Sequence, residues 1–568
     1  MSTVGSATLT NRIWLALSWL LPAALIKLFI LPDFNALHYF LVPDDVFCMY
    51  WNAVHGSNAI LGNTDLFFTK SVLAPQGVSL LGHTYAPVFG LLNAVLDDAV
   101  LSINVAVYLN LLLFTAGIYA LTSLWMQSPL NRLVVSILAV FNGYMLAKSG
   151  IHLNLLLLGL VPWTLLAFLK AFDNDAKLKN WGMLCIATGM LLLNVLFDYY
   201  AILYTVFFTF LWFVYQRFLS KILPKMKRRH WVWVGLGLLV SHVISRLLNL
   251  KGLDTKGGIW EAPDIRAFLV PGPLGKWFGF DVQYPNSPET ENFVYAGISL
   301  LMLLLVTIFF HVRNYRKADG ATGLWLFLLL CFFAFTFPVI KIEGRNVWYW
   351  PNSLLHYIPG LQHFRSTGRM FELIILSALV FSFVVLEKQS WKKPVFSLGL
   401  PLLFAAVFVF EQYAHPPKQI SKAALMPSEQ DRVLLKDRTV LTLPWGIRDG
   451  FRMLGFYQVR DMKLIAVPGC KVCSGYISRI PEKNQEYYNH ADWAQSTLKL
   501  QNDSILGEEV AMQWAKALNQ SEINAIRAEL GDAGMRKRFE AGWNALISEF
   551  GWRQTEVAGL VYLIKPTI

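Results

Sequence analysis

The chain has 568 residues, 55% of them hydrophobic and only 15% charged, with a mean hydropathy of +0.45. Soluble globular chains carry roughly 25% charged residues, so a cytosolic enzyme, a fibre and a disordered chain are all excluded. A net charge of +12 raises nucleic acid as a partner, but the basic residues sit in loops between apolar blocks, with no reading module or stacking face, so nucleic acid is set aside.

The apolar residues fall in blocks of about 17–25, the length that crosses a bilayer core, so the chain reads as a polytopic α-helical membrane protein. In chain order the blocks predict spans near 13–31, 102–126, 131–147, 153–171, 181–197, 199–216, 231–249, 293–311, 322–340, 369–386 and 395–412, about eleven transmembrane helices. The first follows Arg12 and runs on through Lys27 without a small-residue cleavage site, so it reads as a retained helix rather than a signal peptide. Arg132, Lys170–Lys179, Arg217–Arg229, Arg313–Lys317 and Lys388–Lys393 share one side, cytoplasmic by the positive-inside rule.

The opposite side receives a long first loop, with Asp33, Asp44, Asp45, Asp65, Asp97 and Asp98 against one base, Lys70. Within it, Val46–Ile60 and Tyr85–Leu96 read as amphipathic helices on the membrane surface. Also outward are 250–292, whose Trp260 and Trp277 suit an interface, a short loop at 341–368, and a tail from about 413 of ordinary soluble composition. The tail mixes strand-like runs (Thr439–Leu443, Leu560–Ile564) with helical patterns (Ser521–Leu530, Arg536–Phe550). The expected organisation is a transmembrane module over 1–412, carrying the first loop (32–100), and a periplasmic α/β domain over 413–568. No repeat of fixed period is visible, which speaks against a transporter built from parallel repeats.

Five cysteines are too few for a disulfide scaffold. Cys470 and Cys473 form a lone Cys-x-x-Cys that no second pair or His pair completes into a zinc site; in an oxidising compartment they could close a small disulfide. His55, His83 and His152 fall on the outer side, and no ligand pattern links them to a carboxylate, so no metal site is assigned.

Asp44 and Asp45 follow the first span at the outer surface. Two adjacent acids near the hydrocarbon edge are costly unless they sit in a polar cavity or bind something; the simpler reading is a solvated pair capping a helix that begins near Val46. The loop continues Trp51-Asn52, Leu66-Phe67-Phe68-Thr69, Ala74-Pro75-Gln76-Gly77-Val78-Ser79-Leu80 and His83-Thr84-Tyr85-Ala86-Pro87. This series resembles the integral-membrane glycosyltransferases of the GT-C superfamily, in particular bacterial members whose first external loop runs Asp, Trp, Phe-Thr, Pro-x-Gly, His-Thr, Pro. Collinear matches follow at His152-Leu153-Asn154, at Phe364-Arg365-Ser366 with Arg369-Met370-Phe371, and at Gly475-Tyr476-Ile477-Ser478-Arg479.

The resemblance implies a sugar donor on a polyprenyl phosphate, inversion at the anomeric carbon, and a first-loop carboxylate that deprotonates the acceptor hydroxyl. By spacing to Trp51 the family's acid falls on Asp45, with Asp44 the other candidate. The leaving phosphate needs fixed cations. Arg365 and Arg369, one turn apart, and Arg246, within the seventh span, are the candidates, against helix anchoring and snorkelling as simpler roles. Asp198, in the hairpin Phe197-Asp198-Tyr199-Tyr200, is either a substrate-binding acid or a wet turn acid. His83, His152 and Tyr85 complete the substrate-binding candidates; Tyr85, Trp260 and Tyr295 are suited to stacking on a sugar or to interfacial anchoring. Some members, the oligosaccharyltransferases, hold a divalent cation with such acids, and many lipid-phosphate-sugar transferases do not.

The expected function is transfer of a sugar from a polyprenyl-phosphate donor to an envelope acceptor (a lipid-linked glycan, a lipid or a protein), in a bacterial inner membrane with the active site facing the periplasm. The rival is a lipid or oligosaccharide transporter or flippase, in which acids and arginines line a path; a third reading is a non-catalytic scaffold of envelope-polymer assembly.

Overall fold

A computed structural model describes residues 3–30, 38–39, 43–80, 85–149, 153–172, 177–219, 262–268, 294–313, 320–350, 353, 367–389, 394–412, 420–445, 447–448, 452–453, 462–474, 482–502, 508–529 and 533–566. The principal helices up to residue 412 are α1 (Thr3–Leu25), α2 (Pro43–Ile60), α3 (Pro87–Leu96), α4 (Ala99–Thr122), α5 (Pro129–Leu138), α6 (Gly143–Ser149), α7 (Val161–Ala171), α8 (Lys177–Leu193), α9 (Tyr199–Val214), α10 (Ile298–Arg313), α11 (Gly320–Thr336), α12 (Phe371–Glu387) and α13 (Pro394–Gln412).

Six described helical stretches are long and apolar enough to cross a membrane: Arg12–Ile30, Ala99–Thr122, Pro129–Leu146, Leu153–Ala171, Tyr200–Leu219 and Thr367–Glu387. The chain is therefore a multi-pass membrane protein. Four other expected spans appear as shorter apolar helices, Trp181–Leu193, Ile298–Arg313, Gly320–Thr336 and Leu398–Gln412. The expected span at 231–249 lies outside the described residues.

By its contacts the chain forms two compact units, Met1–Phe34 with Val107–Lys418, and Asn35–Ala106 with Gln419–Ile568. This division differs from the boundary at 412/413 expected from composition, because the first loop groups with the tail. In the first unit, α12 is the central helix: Phe371 through Leu386 are buried on every side, as expected of a helix apolar all round.

Two expected spans are interrupted where polar residues recruit the backbone. Between α5 and α6, Asn142 donates to Ala139 O (2.7 Å) and accepts from Met145 N (3.0 Å), ending one helix and opening the next. The 153–171 block opens as a short 3-10 turn, Leu153–Leu156, before α7 begins at Val161 with Pro162 in its first turn. The block expected at 322–340 is shorter than expected: α11 ends at Thr336, Pro338 stops it, and Val339–Ile342 turns into a hairpin with Arg345–Tyr349.

Helix α10 begins against Glu411, a buried carboxylate at the end of α13. It accepts from Ile298 N (2.6 Å), Ser299 N (3.0 Å) and Tyr295 Oη (2.6 Å), satisfying amides that a helix start leaves open. Tyr295 is thus buried in a structural bond and presents no face for a sugar.

The second unit holds a five-stranded sheet. Its strands are β1 (Thr439–Leu443), β2 (Lys471–Val472), β3 (Ala525–Glu529), β4 (Arg553–Val557) and β5 (Leu560–Ile564), in the order β2-β1-β3-β5-β4. The β2–β1 and β1–β3 pairs are parallel, the β3–β5 and β5–β4 pairs antiparallel. The two expected strands and the helix over Arg536–Phe550, found as Ala533–Ser548, are present. The helical pattern expected over Ser521–Leu530 is instead β3, because its short apolar run is paired on both edges, a choice periodicity alone cannot make.

Of the first-loop helices, α2 spans Pro43–Ile60 and α3 spans Pro87–Leu96. Helix α3 buries Pro87, Phe89 and Gly90 and exposes Leu91, Val95 and Leu96, whereas α2 is not a half-exposed surface helix along its length: Phe47 through Ala53 are all buried, against α3 and the short turn Met462–Ala466. The two helices cross at glycines. A Cβ on Gly90 would stand 2.5 Å from the Gly56 backbone, so no side chain fits. Gly90→Val is therefore expected to destabilise the unit by at least the roughly 1–3 kcal/mol of overpacking; a denaturant midpoint equal to wild type would refute the close crossing.

Candidate functional site

In the first unit, the hairpin between α8 and α9 is not a wet tip. Asp198 is 6% exposed and caps α9, accepting from Tyr200 N at 2.6 Å through Oδ1. Its Oδ2 accepts from Asn154 Nδ2 at 2.6 Å. Asn154, from the 3-10 turn that opens the 153–171 block, is also buried. An acid held this way at the mouth of a membrane helix has both oxygens oriented.

Arg369 lies in the 3-10 turn Thr367–Met370 that leads into α12 and is half-buried. Its guanidinium stands 4.8 Å from the Tyr200 ring centroid, within cation–π range. The Arg369 carbonyl accepts from Tyr144 Oη at 3.1 Å and from Tyr204 Oη. Lys148 of α6 is fully buried, its ammonium 5.5 Å from the Tyr144 ring. Tyr200, Tyr204, Tyr144, Asp198, Arg369 and Lys148 thus gather polar and cationic groups of α6, α9 and the α12 entry at the ends of apolar helices. Ionisable residues there are expensive and are normally retained for function.

In the first turn of α12, Glu372 is buried and accepts from Asn142 Nδ2 at 2.9 Å. Glu372 and Tyr204 are the polar members of a crevice otherwise lined by Leu158 and apolar residues of α4, α7 and α12. Sequence reasoning singled out Asp198 and Arg369 and missed Lys148, Glu372, Asn142 and Tyr144. The available signal was a charge or amide within an apolar block.

In the second unit, Pro43 starts α2, so Asp44 and Asp45 lie within its first turn rather than ahead of a helix beginning at Val46. Farther along α2, Trp51 stacks on His55 with ring centroids 5.2 Å apart. The His55 ring meets Tyr85 edge-on at 6.1 Å, and Tyr85 meets Phe67 at 6.4 Å. Tyr85 is buried in this ring chain, so it is a core residue and not an outward sugar platform. His55 is likewise buried, and burial holds its pKa below the ordinary value, with Asp65 opposing.

Cys470 and Cys473 are both buried thiols. They flank the extended β2, and three extended residues span about 10 Å, beyond the roughly 7 Å between Cα atoms that a disulfide tolerates. They are thiols here rather than the small disulfide they could close in an oxidising compartment, and burial raises the Cys473 thiol pKa. His83, His152, Arg246, Arg365, Trp260, Trp277 and the Gly475–Arg479 motif lie outside the described residues. Among the described residues no group of three or more His, Cys, Asp or Glu comes together to hold a metal ion.

The fold is that of the GT-C membrane glycosyltransferases. The chain is similar to the oligosaccharyltransferase AglB from Archaeoglobus fulgidus, solved with an inhibitory peptide and a dolichol-phosphate: TM-score 0.52, 11% identity, covering 98% of this chain and 74% of that one. It is also similar to the arabinofuranosyltransferase AftD from Mycobacteria, at TM-score 0.56 and 14% identity in one class of particles and 0.54 and 12% in another. These alignments cover 98% and 91% of this chain, and 42% and 36% of AftD. No curated protein matches the chain by sequence. A family model described as Domain of unknown function (DUF6311) matches residues 61–411, more than half of the chain, and the chain belongs to that family.

Proposed function

We propose that this protein is an inverting membrane glycosyltransferase that moves a sugar from a polyprenyl-phosphate donor to an envelope acceptor. The observation that carries the reading is an acidic pair in the first turn of the first-loop helix, in a chain with the fold of two glycosyltransferases. AglB was solved with a dolichol-phosphate, which supports a lipid-phosphate donor here. In this reading Asp45 is the general base and Asp44 orients it or the acceptor. A hydroxyl is a weak nucleophile, and a carboxylate within hydrogen-bond reach removes its proton as the anomeric carbon is attacked. The departing lipid phosphate gains charge, which Arg369, Arg365 and Arg246 neutralise. Asp198 binds substrate hydroxyls, with His83 and His152 as further contacts.

The test is transfer from defined polyprenyl-phosphate sugars by the purified protein in lipid nanodiscs. Arg369→Lys keeps the charge but gives up the planar guanidinium over Tyr200 and its fork of donors. Donor turnover is expected to fall roughly 10–100-fold, the usual worth of a charged hydrogen bond, and Arg365→Lys to behave alike. Wild-type kinetics in both variants would return these residues to helix anchoring.

The proposal also includes eleven spans, a bacterial inner membrane, a cytoplasmic Arg217–Arg229 loop and a periplasmic tail. Single cysteines at 222 and 540 read by a membrane-impermeant thiol reagent in outer-membrane-permeabilised cells check this: 540 is expected to label and 222 not. Labelling of 222 with protection of 540 would invert the topology.

A further inference from the structure

The second unit binds two segments far apart in sequence. The first loop's residues 71–74 lie along the free edge of β2. Val472 N donates to Ser71 O (2.8 Å), Ala74 N to Val472 O (3.0 Å) and Leu73 N to Ser474 O (3.2 Å). The loop thus hydrogen-bonds to the edge of the tail's sheet through bends and a turn, with Leu73 at φ +51°, rather than as a sixth strand. The helix Glu482–His490 then closes over it: Tyr488 Oη donates to Ala74 O (3.0 Å), and Asn484 Nδ2 to Gly77 O (2.9 Å). Both side chains are buried.

This strap is joined to α2. Beyond it, Leu80 N donates to Phe67 O (2.8 Å), and Phe67 begins the ring chain through Tyr85 and His55 to Trp51 on α2. The other end of the same sheet edge also reaches α2, through the Met462–Ala466 turn that precedes β2. The tail therefore reaches helix α2 twice, directly through the Met462–Ala466 turn and indirectly through the strap.

We infer that the tail domain is a cradle for the first loop, with Tyr488 and Asn484 acting as positioning residues for the helix that bears Asp44 and Asp45. The positioning role rests on the proposed glycosyl transfer; the cradle itself does not. Neither residue touches substrate in this account. Their contribution passes through the strap, and misplacement of a reacting group by about 1 Å can cost up to roughly 10²-fold.

The experiment uses the full-length protein in nanodiscs, as wild type, Tyr488→Phe and Asn484→Ala. Amide hydrogen exchange reads the cradle without any assay of activity. Exchange across 71–77 and 47–57 is expected to quicken roughly five- to ten-fold in each variant, the worth of one hydrogen bond, while β3 and β5 keep wild-type protection. Unchanged exchange across both segments in both variants overturns the cradle. Loss of β3 and β5 protection in both also overturns it, since the two residues then merely support the sheet. Transfer kinetics read positioning: kcat should fall about ten-fold with the donor KM within two-fold. Quickened exchange with unchanged kcat overturns the positioning role. If Asp45→Asn also leaves transfer intact, it is the glycosyl-transfer reading that has failed, and the exchange data still decide the cradle.

Discussion

Asp45→Asn is expected to lower glycosyl transfer by roughly 10²–10⁴-fold, the usual worth of a positioned general base. The amide keeps the size and some hydrogen bonding of the acid but accepts no proton at neutral pH. Folding should survive, because the position lies in the first turn of α2. There a carboxylate contributes only about 0.3–1 kcal/mol through the helix dipole. Asp44→Asn should cost less if Asp44 orients its neighbour or the acceptor; the opposite ranking would exchange their roles. The measurement is single-turnover transfer with matched protein levels. Wild-type rates in both single variants and the double variant would return the pair to helix capping and bring the transporter reading forward.

The largest expected effect on stability lies in the tail. Asp431 is fully buried and accepts from Arg527 Nε at 2.9 Å and Tyr562 Oη at 3.0 Å. It also forms a capping box with Ser428. Asp431→Ala strips Arg527 of its counter-ion inside the unit, and such half-broken buried pairs cost about 3–5 kcal/mol. Removing the half-exposed Arg536–Glu556 pair should cost less than about 1 kcal/mol. Urea titration followed by tryptophan fluorescence compares the two; equal midpoints would mean that the buried pair adds nothing.

The acid dependence has a definite sign. Burial alone would raise the Asp431 pKa, but Arg527, Ser428 and Tyr562 outweigh it and hold the value below the ordinary 3.8. The stabilisation is therefore fully present above the unfolded pKa near 3.8 and is lost as pH falls through the lower folded value. Asp431→Asn should flatten that loss.

Composition exposed the membrane class because a span must be apolar along its whole length, whatever it packs against. Span limits were less legible where one residue decides them: Pro338 ends α11, and Asn142 breaks the 131–147 block by bonding its own backbone. The β3 segment was misread because its partners on both edges come from elsewhere in the chain. Asp198 and Arg369 stood out as charges at the ends of apolar runs. Glu372 did not, although an acid inside such a run is the same kind of signal, nor did Lys148, just beyond the end of the 131–147 block. The burial of Tyr85 and His55 was not legible at all, since an aromatic in an outer loop has the same one-dimensional context whether it is packed or exposed.

The pairing of the first loop with the tail also constrains biogenesis. Asn484 and Gly77 are bonded across 407 residues. At about 5–20 residues per second of synthesis, roughly 20–80 s separate the appearance of the two partners. During that interval α4 and every later helix of the bundle must be made, while the edge-seeking residues 71–74 have no sheet to join. The unit cannot complete its fold vectorially, from N-terminus to C-terminus. Its last step is closure of a very long-range contact, the slowest kind of topology to form, and a ribosome that stops before β2 leaves the helix bearing the acidic pair without its support.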